Sequence, residues 1–158
     1  MGLDTSHDAW HGAYSTFMRW REKIAEVAGL PPLRLMEGFY VPLDSSIRAG
    51  AGIPTFYLGA AREDELVRGC ITSIEAALPI KWSCLKPSAL HELLFHSDCD
   101  GEIPAESCRP IADELEKLIP LFPEGDGGGH IGIWREKTRQ FVDGLRRAAA
   151  AGEPLGFH

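Results

Sequence analysis

Five of the six histidines fall in or beside three short polar segments that carry glycine: SHDAWHG (residues 6–12), HELLFHSDCDGE (91–102) and GGGHIG (127–132). Imidazole and carboxylate groups transfer protons and ligate divalent metals. Two of the segments also hold Asp, and each adjoins a helical pattern. The arrangement predicts one polar site assembled from distant parts of the chain.

Each segment has its own chemistry. His7 and His11 are four residues apart, so on a helix both rings share one face at a spacing one divalent metal can bridge. Asp8 stands ready to ligate or to orient a ring. The structural alternative is a capping His7 and a His11 packed beside Tyr14. In HSDCDGEI, residues Asp98, Asp100, Gly101 and Ile103 match interior positions of an EF-hand loop. His96 and Ser107 occupy its first and last positions, which argues against tight calcium binding. What remains is a DxDG turn whose Asp98 and Asp100 join His96 at a metal or accept hydrogen bonds from a ligand, or else an Asx-type turn feeding a helix. GDGGGHIG reads as a glycine cluster opening a helix, an anion seat to which His130, Arg135 and Arg139 add donors, or as a plain linker. No GK[ST] follows it, and neither GxSxG nor HExxH occurs in the chain. The His7-Asp8 dipeptide is similar to that of HD phosphohydrolases, but the further upstream His they use is missing.

Five helical patterns have to position these groups. The first is expected over about residues 6–28, with Trp10, Tyr14, Phe17, Met18, Ile24 and Val27 at helical spacing. Gly29, Pro31 and Pro32 end it. Residues 30–60 form an irregular Pro/Gly-rich excursion with room for one or two short strands. Further helices are expected at about 62–78, 87–95, 105–119 and 130–151, the fourth starting late or bending at Pro110. The string WREK occurs in the first and last helical patterns, at Trp20 and at Trp134.

The fold expected is mainly α: about five helices in one compact bundle-like domain spanning residues 1–158. A net charge of −7 argues against a general nucleic-acid surface or an anionic membrane. No apolar run reaches membrane-spanning length. The arginines at 19, 21, 135, 139, 146 and 147 still allow a local basic pocket. Cys70, Cys84, Cys99 and Cys108 form no CxxC pair and read as reduced, mostly buried thiols of a cytoplasmic protein.

The strings GLDTSHDAWHGAY, LLFHSDCDGEI and GGHIGIWREKTRQFVDGLRRAA, with the closing FH, resemble an uncharacterised family from bacteria and their phages. That resemblance implies a cytoplasmic accessory or phage-borne role and no particular activity. The residues themselves suggest three functions. The first is a binding protein for an anionic, nucleotide-like ligand held by His96, His130, Trp134, Arg139, Trp10 and Tyr14. The second is a metal-dependent phosphoester hydrolase, with one divalent ion on His7, Asp8, His11, Asp98 and Asp100. The third is a module that docks on a protein partner through Phe39, Tyr40, Phe56 and Tyr57.

Overall fold

The computed structural model describes residues 2–40, 64–97 and 99–158, and these are mainly α-helical. Among them run five α-helices: α1 Tyr14–Val27, α2 Glu65–Glu75, α3 Leu90–Phe95, α4 Ala105–Leu118 and α5 Trp134–Ala151. The short strands are β1 Gly2–Asp4, β2 His11–Ala13, β3 Glu102–Ile103 and β4 Leu155–Gly156. No helix among the described residues is long and apolar enough to cross a membrane. The chain divides into two units, one of Met1–Val27 with Ala89–His158 and one of Ala28–Ser88.

In the first unit, α4 and α5 pack antiparallel. Ile111 and Leu115 of α4, and Phe141, Val142, Leu145 and Ala148 of α5, recur at helical spacing and are buried. Pro110 lies inside α4, yet the helix runs through it from Ala105. Its missing N–H removes one bond near the helix start, and the buried stripe on either side keeps the helix in place. Gly152 closes α5 in the left-handed conformation, φ 67°, with its N–H returned to the Ala148 and Ala149 carbonyls.

The first helix begins eight residues later than its apolar spacing suggests. β1 and β2 pair antiparallel instead, with Leu3 opposite Gly12 and Asp4 opposite His11. The turn between them carries His7 and Asp8 at φ 57° and 51°. That left-handed pair cannot belong to a right-handed helix. Trp10 therefore reaches the core from a hairpin. It packs edge-on to Phe17 at 5.0 Å and against Trp20 at 5.2 Å, and Trp20 meets Phe141 at 4.6 Å. The Trp20 indole N–H donates to Thr138 Oγ1 at 3.0 Å, and that hydroxyl donates onward to the Trp134 carbonyl.

The chain ends meet through backbone pairing. β4 pairs β3, and the following Phe157 pairs Thr5. His158 exchanges both backbone bonds with Asp4, at 3.1 and 2.9 Å, and the Phe157 N–H reaches the Gly101 carbonyl. The C-terminal tail thus links β1 to the acidic turn. Of the 30–60 excursion, the described residues 30–40 hold no strand, only an isolated bridge at Met36, and residues 41–60 lie outside the described residues.

The second unit holds α2, capped by Asp64, whose carboxylate accepts from the Leu66 and Val67 N–H groups. Met36 and Ile80 pair as a parallel bridge, and Trp82 donates its indole N–H to the Glu37 carbonyl at 3.2 Å. The segment at Trp82–Cys84 is a 3-10 turn. Phe39 and Tyr40 are half-buried. Phe56 and Tyr57, with the rest of residues 41–63, lie outside the described residues.

Candidate functional site

The hairpin turn of the first unit lies along one face of α5. Lys137, Gln140, Gly144 and Arg147 recur at helical spacing on that face. Arg147 donates through Nε and Nη2 to the His7 carbonyl, Gln140 to the Asp8 carbonyl at 3.1 Å, and Lys137 to the His11 carbonyl at 3.1 Å. Between these grips, Gly144 lets Ala9 touch the helix: a Cβ there would lie 2.3 Å from that of Ala9. The left-handed backbone at His7 and Asp8 is held by the contacts on both carbonyls.

This geometry separates the two histidines expected to share a metal. His7 turns Nε2 to Glu153 at 3.3 Å. His11 turns Nδ1 to Asp4 at 2.8 Å and faces Asp8 with Nε2 at 3.6 Å. The shared helical face does not exist because this stretch is a hairpin. Asp4 and Glu153 escaped the sequence reading; they are brought in by strand register and by the tail, which leave no local signal. Asp100 accepts from the Ser97 hydroxyl at 2.8 Å, and Asp98 lies outside the described residues. Among the described residues, no three His, Cys, Asp or Glu side chains gather as a metal-binding group.

His130 does approach the hairpin. Its Nδ1 accepts from the Ala13 N–H at 3.2 Å, which fixes the neutral ring with its proton on Nε2. Gly12 makes room: a Cβ there would meet His130 Cβ at 3.0 Å and Trp10 Nε1 at 3.4 Å. The glycine cluster before His130 is not a row of free amides. The Gly127 N–H bonds to the Gly132 carbonyl and the Gly128 N–H to the Asp126 carboxylate, while α5 itself starts only at Trp134.

Trp10 is fully buried, and among the described residues its indole N–H has no acceptor. Lys137 Nζ stands 4.4 Å from the centre of the same ring. Its hydrogen-bond partners are neutral oxygens, those of His11 and Gln140. Burial pulls its pKa below the ordinary 10.5. The duplicated WREK string was the one trace of this lysine in the sequence. Both copies work alike: Arg21 binds the Leu94 and His96 carbonyls, Arg135 binds those of Pro120 and Phe122, and Lys23 lies over Trp134 as Lys137 lies over Trp10.

The other expected ligand contacts are dispersed. Trp134 is buried against Gly127, so it offers no open stacking face, and neither does Trp10. Tyr14 opens α1 half-buried. His96 stacks on Phe157 at 4.3 Å and gives its Nδ1 proton to the Ser97 carbonyl. Arg139 lines a groove of about 310 Å³ between α4 and α5 with Glu116 and Asp143. Arg19, Arg21, Arg135, Arg146 and Arg147 are engaged by internal carbonyls or carboxylates, so the six arginines do not form one basic pocket. Cys70 and Cys108 are buried thiols, whereas Cys84 and Cys99 are exposed. Compared with known proteins, the chain matches no family model, no curated protein and no solved structure.

Proposed function

We propose that this chain is a binding module for a small anionic ligand, seated where Trp10, Gly12 and Lys137 meet. The observation that carries the reading is a buried indole N–H without an acceptor beside a half-buried ammonium without a counter-charge among the described residues. A buried donor left unpaired costs about 1–3 kcal/mol. One oxyanion, a carboxylate or the phosphate end of a nucleotide-like molecule, satisfies both groups and restores Lys137 toward its ordinary pKa. His130, locked by Ala13 at the edge of Gly12, keeps its Nε2 proton available as a further donor. A cytoplasmic accessory role, as the bacterial and phage resemblance implies, accords with such a module.

The test follows the Trp10 indole resonance in 1H–15N spectra, assigned with a Trp10→Phe variant. Inorganic phosphate, acetate and adenosine monophosphate are titrated in turn. A saturable downfield shift of that resonance, abolished by Lys137→Met, is the expected result. An indole resonance unmoved by all three anions, or moved equally in the Lys137→Met protein, overturns the reading.

A further inference from the structure

We propose that Lys137 is a nucleophilic amine that condenses with the carbonyl of an α-keto acid, whose carboxylate is received by the Trp10 indole N–H. The carboxylate half rests on the anion reading above; the condensation is a separate property of Lys137. The two copies of WREK supply the contrast that carries it. Lys23 Nζ lies 5.6 Å from the centre of the Trp134 ring and is paired with the Glu26 carboxylate, three residues on, at 2.7 Å. Lys137 Nζ lies 4.4 Å from the centre of the Trp10 ring, and three residues on stands Gln140, whose Oε1 is 3.4 Å away. The carboxylate of the first copy is thus replaced in the second by its uncharged isostere. Among the described residues Lys137 makes no ion pair; its bonds go to Gln140 and the His11 carbonyl.

A lysine held in desolvated surroundings without a counter-charge keeps more of its free amine at neutral pH and attacks carbonyl carbon. Burial lowers the Lys137 pKa in this sense. The side chain is half-buried, so it stays within reach of a solute. The ammonium first gives one proton to solvent, and the amine nitrogen bonds to the carbonyl carbon. The resulting hydroxyl takes a proton back from solvent, the C–O bond breaks, and water leaves. The product is a protonated imine, so a cation remains over the Trp10 face. The carboxylate on the adjacent carbon is the acceptor that the buried indole N–H lacks among the described residues. Acetate offers this site no carbonyl and acetone offers it no carboxylate; an α-keto acid offers both.

Pyruvate and sodium cyanoborohydride, added to the full chain at neutral pH, test the proposal, with each lysine followed by peptide mass mapping. The reductant fixes the imine as a stable secondary amine. Lys137 should be labelled at least about 10-fold faster than Lys23 or the exposed Lys117. Its preference for pyruvate over acetone should also exceed theirs. Glu26→Gln, a change at an exposed side chain, should raise the labelling of Lys23. Gln140→Glu should lower that of Lys137, with circular dichroism reporting the fold. Labelling of Lys137 no faster than that of Lys117, or an equal pyruvate preference at both, overturns the proposal in the parent protein alone. If acetate shifts the Trp10 resonance while pyruvate leaves Lys137 unlabelled, the condensation falls and the anion seat stands. If that resonance is unmoved by anions and Lys137 shows no pyruvate preference, both fall.

Discussion

Replacing Gly144 by Ala tests how the hairpin is held. In most exposed helical positions the change stabilises, since Ala exceeds Gly in helix propensity by about 1 kcal/mol. At Gly144 the new Cβ would lie 2.3 Å from Ala9 Cβ, 2.6 Å from its Cα and 3.0 Å from its N. Ordinary carbon contacts begin near roughly 3.5 Å, so the loop must retreat by about 1.2 Å from its 2.3 Å approach. It cannot slide, because Arg147 holds the residue-7 carbonyl and Gln140 the residue-8 carbonyl. It can only lift. Overpacking against backbone stands at the upper end of the usual 1–3 kcal/mol. Full detachment would forfeit charge-assisted bonds worth about 1.5–3 kcal/mol each. After the propensity gain, the expected net destabilisation is about 2 kcal/mol. Gly69 in α2 is the control, since no atom of the described residues lies within 4 Å of a Cβ built there. Gly69→Ala should stabilise its helix by about 0.5–1 kcal/mol. Urea unfolding followed by tryptophan fluorescence and circular dichroism reads both variants. A Gly144→Ala protein as stable as the parent would refute the close packing of loop on helix.

Three further outcomes follow from buried polar contacts. Thr138→Val leaves the Trp20 indole N–H without its 3.0 Å acceptor and should cost about 1–3 kcal/mol in a thermal melt; an unchanged Tm contradicts it. Arg21→Met strips the guanidinium from the Leu94 and His96 carbonyls at the end of α3. A loss of about 2 kcal/mol or more is expected, with faster amide exchange across residues 90–97, and uniform exchange would count against the cap. Burial lowers the His91 imidazole below its ordinary 6.5, the Glu114 carboxylate opposing that shift. The unfolded chain then binds more protons, so stability is full above 6.5 and falls as pH drops through the folded value. Arg146 holds the Glu116 carboxyl below 4.5, and its contribution is lost only at lower pH. His91→Gln should flatten the decline in urea midpoint just below pH 6.5 and leave the more acid limb intact; an unchanged slope there removes His91 as its source.

The long helices were legible because burial repeats with their own period. The stripe through Ile111 and Leu115 and that through Phe141, Val142 and Leu145 have no rival reading. The N-terminus misleads for the same reason: Trp10 keeps helical spacing with Tyr14 and Phe17, although it enters the core from a hairpin. Strands of two or three residues are too short to show alternation, and the pairing of Phe157 with Thr5 spans the chain. His130 meets the hairpin at the Gly12–Ala13 backbone, through a main-chain N–H that no side-chain motif announces. Asp4 and Glu153 are supplied by register and by the tail, and neither carries a local motif. Lys137 showed itself only as a duplicate of Lys23.

The long C-terminal helix grasps the hairpin by carbonyl oxygens that every amino acid possesses. At residues 7 and 8 loop conformation is therefore largely decoupled from side-chain identity, apart from the demand for residues that tolerate left-handed backbone, whereas Ala9, Trp10 and Gly12 are set by what they pack against. The helix acts as a display platform: residues 7 and 8, whose carbonyls it holds, should keep their backbone shape while their reactive groups are exchanged. Such a platform can lose one chemistry and acquire another without refolding, and it offers a ready graft point for engineered recognition.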